Sequence, residues 1–266
     1  MPSGLITLLT DFGLNDAYVG IMKGVILRIN PDIRVVDLTH AVPPQQVLAG
    51  ALMLRNAVGF FPDGTIHLAV VDPGVGSARR PLLIETDRGF LVGPDNGVLS
   101  PAAALMGRPR ARLLANEKFF LHPVSQTFHG RDIFAPVAAH LACGVTPEAV
   151  GPVLDSIVEL ELPVPRRSGA TIAGEVVHVD HFGNLVTNIS LDALPRFPAQ
   201  QVYVSISRTR IGTLLATYSA APEGGPLALV GSWGTVEIAV RNGSAAKMFA
   251  AGTGTPVTVV VESRDP

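Results

Sequence analysis

Val70-Val71-Asp72-Pro73-Gly74-Val75-Gly76-Ser77-Ala78-Arg79-Arg80 is the stretch on which the fold of this 266-residue chain turns. An apolar run over residues 66–71 ends directly on a carboxylate. A proline, two glycines and two arginines follow. A strand that delivers an aspartate to the edge of a sheet fits an α/β architecture, in which ligands sit beyond the strand C-termini. Pro73 fixes the chain direction there, and Gly74 and Gly76 let backbone come close to a ligand. Taken alone, the stretch reads equally well as a tight turn whose aspartate caps an amide and whose arginines are solvated.

The flanking sequence extends the α/β pattern. Residues 5–10, 34–38 and 66–71 read as strands. Between them, residues 18–30 carry Ile21, Val25, Ile26 and Ile29 at helical spacing, and residues 45–58 form a second helix with little polar surface. Such alternation predicts a largely parallel sheet. Residues 82–86 and 90–92 predict a hairpin around Asp87-Arg88-Gly89. A strand at 111–114 and a helix near 133–143 complete this part. The proline-rich stretch Glu161-Leu162-Pro163-Val164-Pro165-Arg166-Arg167-Ser168-Gly169 cannot be helical throughout. We therefore read an α/β domain over residues 1–163, a linker at 164–168 and a second domain over 169–266. The second domain reads as strands at 171–179, 185–189, 201–206, 210–213, 227–230, 235–240 and 255–261, with one short helix near 245–250. Many short strands separated by turns predict a smaller all-β, barrel-like domain.

Composition narrows the function classes. Nearly half the residues (47%) are hydrophobic and 16% are charged, which argues against disorder. The net charge of −2, without a Lys/Arg run, points away from nucleic acid and from anionic membranes. No apolar run is long enough to span a bilayer, and the N-terminus shows no signal-peptide pattern. The single Cys143 is expected as a small buried hydrophobe, and one cysteine fits a reducing, cytoplasmic setting.

Several polar groups can carry chemistry. Asp11, in Thr10-Asp11-Phe12-Gly13 after the first strand, can accept hydrogen bonds from a ribose hydroxyl pair, or it can cap a helix. Asp16 lies nearer the helix start and is the better cap candidate. His129, in Thr127-Phe128-His129-Gly130-Arg131-Asp132, titrates near neutrality and can act as a base, or it is a surface histidine beside an Arg131–Asp132 pair. Asp180-His181-Phe182-Gly183-Asn184 offers a carboxylate, an aromatic face for a nucleobase and an amide for its edge. It also reads as a plain hairpin turn. Gly231-Ser232-Trp233-Gly234, followed by Glu237, is a second polar turn feeding a strand. No H-E-x-x-H, paired Cys or close His-x-His points to metal, and no Walker loop or G-x-S-x-G elbow occurs.

In this order the pieces resemble one family, the S-adenosyl-L-methionine (SAM) hydrolases, or SAM hydroxide adenosyltransferases, relatives of the fluorinase and chlorinase. Five motifs in register carry the resemblance: Asp37-Leu38-Thr39-His40, Val71-Asp72-Pro73-Gly74-Val75-Gly76, Gly93-Pro94-Asp95-Asn96-Gly97, Phe128-His129-Gly130-Arg131-Asp132 and Phe182-Gly183-Asn184. The resemblance implies hydrolysis of SAM to adenosine and L-methionine by in-line attack of water on the ribose 5′-carbon. SAM is then the substrate, and no cofactor is required. It implies a homotrimer with sites shared between the α/β domain of one subunit and the β domain of its neighbour. Asp72, Arg79 and His129 take the catalytic positions, with the proton going to Asp72 or to His129. Asp11 is implied for the ribose hydroxyls, and Phe12, Gly130, Asp180, Phe182, Asn184, Ser232, Glu237 and Val240 for the rest of the substrate. Halogenating relatives carry Tyr where this chain has Asp72, and the fluorinase has Ser where this chain has Gly130. A carboxylate in the nucleophile pocket repels halide and suits water. Two departures, Gln45 in place of Trp and Trp233 in place of Arg, leave the adenine and methionine contacts open. The competing classes are a non-catalytic SAM or adenosine sensor, a SAM-dependent halogenase, and a metal-dependent nucleoside hydrolase built on Asp11 and Asp16.

Overall fold

Period-two alternation in the first strands decides which side chains face which layer. In the computed structural model, which describes residues 4–194 and 202–261, the chain divides into two compact units, Met1–Glu161 and Leu162–Pro266. The first unit is built on β1 (Leu5–Thr10), β2 (Arg34–Thr39), β3 (Thr65–Val70), β4 (Pro81–Glu85), β5 (Gly89–Pro94) and β6 (Arg110–Leu113). Ile6, Leu8, Leu68 and Val70 bury one face against Met22 and Ile26 of α1 (Tyr18–Ile29) and the alanines of α4 (Ala135–Ala142). Leu9, Ala69 and Val71 bury the other face against Ala51 and Leu54 of α2 (Val47–Val58) and Ala102 and Met106 of α3 (Ser100–Met106). A sheet buried on both faces needs near-continuous apolar strands, and β1 and β3 are buried along their whole length.

The sheet order is β2-β1-β3-β5-β4-β6. The β1–β2, β1–β3 and β3–β5 pairs are parallel, and the β4–β5 and β4–β6 pairs are antiparallel. The sheet is therefore mixed. A short turn can return a chain only antiparallel, whereas a parallel return needs a crossover, so the turn between β4 and β5 fixes the antiparallel arm. Helix α3 was not foreseen from the sequence. It is only seven residues long, and Pro101 at its first turn marks a start that apolar spacing does not reveal. Asp16 does not cap α1: Ala17 holds the cap position, without a side-chain hydrogen bond. Cys143 is exposed, not buried, because it lies just past α4, beyond the last inward-facing residue, Leu141.

A short helix α5 (Pro147–Val150) ends the helical part of the first unit. The second unit contains β7 (Arg166–Ser168), β8 (Thr171–Val179), β9 (Leu185–Ser190), β10 (Val202–Ile206), β11 (Thr209–Thr213), β12 (Pro226–Val230), β13 (Thr235–Val240), α6 (Ala245–Met248) and β14 (Pro256–Val261). The strand expected to begin at Gln201 starts at Val202, and Gln201 lies outside the described residues. Residues 166–168, read from sequence as part of a linker, pair antiparallel with β8. The strands run β11-β10-β14-β8-β9-β13-β12, every pair antiparallel. A bridge between Leu214 and Ala228 brings the two ends together, so the sheet is nearly closed around Val204, Ile238 and Val259.

Candidate active site

The end of β3 is fixed before any ligand is considered. Asn96 Nδ2 donates to the Val71 carbonyl at 2.8 Å, so the residue after it, Asp72, leaves the sheet at a defined point. The chain then folds back. Val75 N–H donates to the Asp72 carbonyl, the Ser77 amide and hydroxyl both reach the Gly74 carbonyl, and Arg79 N–H donates to Ser77 Oγ. This tight coil returns Arg79 to Asp72 across seven positions. Gly76 is required in it: its φ is +76°, and a Cβ there would lie 2.3 Å from the Gln126 carbonyl oxygen. The Asp72 loop thus packs directly on the loop that leads to His129. That second loop is held by Asp132, which accepts from Ser125 N–H at 2.8 Å and from the guanidinium fork of Arg131. The Arg131–Asp132 pair foreseen as an alternative does form, and its carboxylate braces the turn that presents His129.

These two loops bring three charged or titratable groups together. Arg79 donates from Nε to Asp72 Oδ1 (3.1 Å) and from Nη2 to Asp72 Oδ2 (2.5 Å). The same Nη2 lies 2.9 Å from His129 Nδ1. The Asp72 and Arg79 side chains are 5% and 6% exposed, so this charge pair acts with little solvent screening. A guanidinium only donates; His129 Nδ1 must therefore accept, which puts the ring proton on Nε2. Burial pushes the Asp72 carboxyl above its ordinary value, against the opposing pull of Arg79 and His129. Burial, and then the positive charge of Arg79, hold His129 below its ordinary value. His129 is accordingly neutral at pH 7. Arg79 Nη1 is buried and has no hydrogen-bond partner among the described residues.

Of the other candidates of the first unit, Gly130 follows His129 in the chain, and Asp11 and Phe12 follow β1. A Cβ on Gly130 would sit 3.2–3.5 Å from Met22, Phe128 and Phe12, and Phe12, Tyr18 and Phe128 form an edge-packed aromatic cluster. Asp11 accepts from Gln45 N–H at 2.8 Å.

In the second unit, Asp180, Phe182, Asn184, Ser232, Glu237 and Val240 line a single cavity of about 820 Å³. Residues 180–184 form the turn of the hairpin alternative and also line this cavity. Asp180 takes the backbone N–H groups of Phe182 and Asn184 and the Asn184 amide, which leaves the Phe182 ring 72% exposed. Gly183, at φ +82°, lies so close to Ser244 that a Cβ would come within 2.1 Å of its hydroxyl. Sequence reasoning missed Tyr218, whose hydroxyl donates to Glu237 Oε1 at 2.6 Å. It lies in a stretch without periodicity, where only its aromatic character could have drawn notice. Burial, reinforced by Asp180, keeps the Glu237 carboxyl above its ordinary value although Tyr218 opposes the shift.

Two family models match this chain: the SAM hydroxide adenosyltransferase N-terminal domain over residues 6–151, and the C-terminal domain of that family over residues 174–258. The chain belongs to the SAM hydroxide adenosyltransferase family. Similar members include the (R)-S-adenosyl-L-methionine hydrolase of Salinispora tropica, 42% identical over 93% of this chain and 94% of that protein. A Thermus thermophilus protein of the same name is 40% identical over 95% of this chain and 98% of its own length. The fluorinase of an Actinoplanes species is more distant, at 31% identity over 70% of this chain and 71% of that enzyme. Among solved structures, an uncharacterized conserved protein from Thermotoga maritima matches with a TM-score of 0.91 and 38% identity, over 96% of this chain and 99% of that one.

Proposed function

We propose that this family member hydrolyses SAM to adenosine and L-methionine. The observation that carries the reading is the shared Arg79 guanidinium, which grips Asp72 and occupies the Nδ1 lone pair of His129. With that lone pair occupied and the proton on Nε2, His129 is the poorer base. The proton acceptor is Asp72, an anion held in one orientation by a bidentate partner, with lone pairs still free on each oxygen. The partly exposed His129 ring lies beside this pair and helps orient the attacking water so that its lone pair points at the ribose 5′-carbon.

In the step itself the water oxygen forms a bond to C5′ and its proton passes to Asp72. The C5′–S bond breaks, and its electron pair returns to sulfur, releasing neutral methionine. The leaving group needs no acid. Charge is neutralised as a hydroxide-like nucleophile meets a sulfonium, so a dry pocket favours the step. Asp11 takes the ribose hydroxyls. The second-unit cavity takes the rest of SAM, with Phe182 beneath the base and Asn184, Asp180, Ser232 and Glu237 as its polar contacts. SAM is the substrate and no further cofactor enters. We propose further a cytoplasmic homotrimer, organised as an α/β domain and a barrel-like domain, in which neighbouring subunits complete each site.

Incubation of the metal-free protein with SAM and chromatography of the products tests this. Adenosine and methionine in equal amounts are expected, with chelator and excess chloride changing nothing. Mainly 5′-chloro-5′-deoxyadenosine, or no nucleoside at all, would overturn it.

A further inference from the structure

The Asp37-Leu38-Thr39-His40 motif takes no part in the mechanism above, yet its side chains form a chain of contacts ending at Asp11. Thr10, fully buried at the end of β1, accepts the Phe12 N–H on Oγ1 at 3.2 Å and lies 2.9 Å from His40 Nδ1. With the Asp37 carboxylate facing Nε2, the ring proton of His40 is assigned to Nε2, so Nδ1 accepts from the Thr10 hydroxyl. Nε2 is 3.1 Å from Asp37 Oδ1, off the line of a well-aligned hydrogen bond, and Lys23 Nζ holds the other Asp37 oxygen at 2.6 Å. The His40 carbonyl accepts the Gly13 N–H at 2.8 Å. A few residues on, Gln45 N–H holds Asp11 Oδ2, from a backbone at φ +65°. Residues 10–13 are thus gripped from one side by residues 37–45.

The imidazole of His40 is only 5% exposed. Filling that space with a hydrocarbon would avoid the cost of desolvating a polar ring. What a hydrocarbon cannot do is fix the Thr10 hydroxyl with its lone pair toward the amide that follows Asp11. We propose that His40 is a positioning residue for the reaction: through Thr10 it sets the loop that presents Asp11 to the ribose hydroxyls. The inference rests on the function proposed above, and it adds a residue that touches no substrate.

The test compares native protein with His40→Ala, His40→Asn, Thr10→Val and the double variant His40→Ala/Thr10→Val, in SAM turnover and in amide hydrogen exchange. Asparagine keeps an acceptor near the place of Nδ1, and valine deletes the hydroxyl at nearly constant volume. For His40→Ala and Thr10→Val the KM for SAM is expected to rise about tenfold or more, with a smaller change in kcat, as for a displaced binding group. His40→Asn should recover most of the loss. The double variant should be no worse than either single one, since both break the same link. Exchange at Phe12 and Gly13 should quicken about tenfold or more while the strand amides of β3 keep their protection. A KM within about twofold of native in His40→Ala, a loss that asparagine does not restore, or additive losses in the double variant would overturn the proposal. If native protein forms no adenosine from SAM, the proposed function fails. Exchange then decides alone whether His40 holds the loop, and unchanged exchange in His40→Ala refutes it.

Discussion

At the scale of the residue, chemistry follows from which lone pairs are already taken. Two histidines illustrate this. His67, on β3, is bonded to Thr7 Oγ1 at 2.8 Å and pushed down to about 4 by burial and then by Arg88, so it is a neutral core group through the physiological range. His129 is also held below its ordinary value, but it is only partly buried and its Nδ1 lies 2.9 Å from the Arg79 guanidinium that grips Asp72. The same residue type serves structure in one place and is placed for chemistry in the other. If Asp72 is the base, as proposed, it carries the pH dependence. Its carboxyl sits above the ordinary carboxylate value, so kcat/KM should be full at neutral pH and fall on acidification, with its midpoint above that value. No inflection from His129 is expected near pH 6.5. Asp72→Asn should lose roughly a hundredfold or more in turnover and abolish the acid limb. Arg79→Ala should match much of that loss without adding to it in the double variant. A rate profile falling instead through an inflection near pH 6.5, retained in Asp72→Asn, would move the base to histidine.

At the scale of the element, the site depends on loops being forced together. Strand β3 carries Asp72 to the sheet edge, but nothing in the strand brings His129 there. The contact is made where Gly76, with positive φ, packs on the Gln126 carbonyl. A left-handed conformation costs a non-glycine residue about 1–2 kcal/mol, and the clash adds to it. Gly76→Ala should therefore lower the melting temperature by several degrees and reduce kcat more than a stability loss of that size explains. The variant is expected to remain folded at 25 °C while the two loops move apart. A variant with native kcat and a lowered melting temperature would show that the loop packing serves stability alone.

At the scale of the whole molecule, the candidate residues fall into two groups. Asp11, Asp72, Arg79 and His129 belong to the first unit, and Asp180, Asn184, Ser232 and Glu237 line the cavity of the second. Leu14 and Phe182 are 74% and 72% exposed, apolar surface of the kind that assembly covers. If neighbouring copies complete each site, Asp11→Ala and Asn184→Ala proteins should each be weak. Their equimolar mixture, after subunit exchange, should regain activity. In a cyclic trimer each mixed ring holds one intact site, so random mixing restores about a quarter of native sites. No recovery after verified exchange, or full activity in a monomer by light scattering, would place the whole site within one chain.

Period and punctuation made much of the fold legible. The spacing of Ile21, Val25, Ile26 and Ile29 marks α1. The apolar run before Asp72 marks β3, and the turns between short strands mark the second unit. These are local properties, set by side-chain direction within a helix or strand. The parallel character of the first sheet was legible only in part, because pairing direction depends on the partner chosen by a strand such as β4. Cys143 misled because an apolar neighbourhood in sequence does not say which way a residue at a helix end faces. At the site, the sequence could place Asp72 at a strand end and His129 at a helix entrance, but it left open which one takes the proton. What only the tertiary structure supplies is the arginine between them. Arg79 Nη2 lies within hydrogen-bonding reach of Asp72 and of a histidine fifty residues further along the chain. That shared contact exists only once the chain has folded, because it joins groups far apart in sequence and local periodicity carries no record of it.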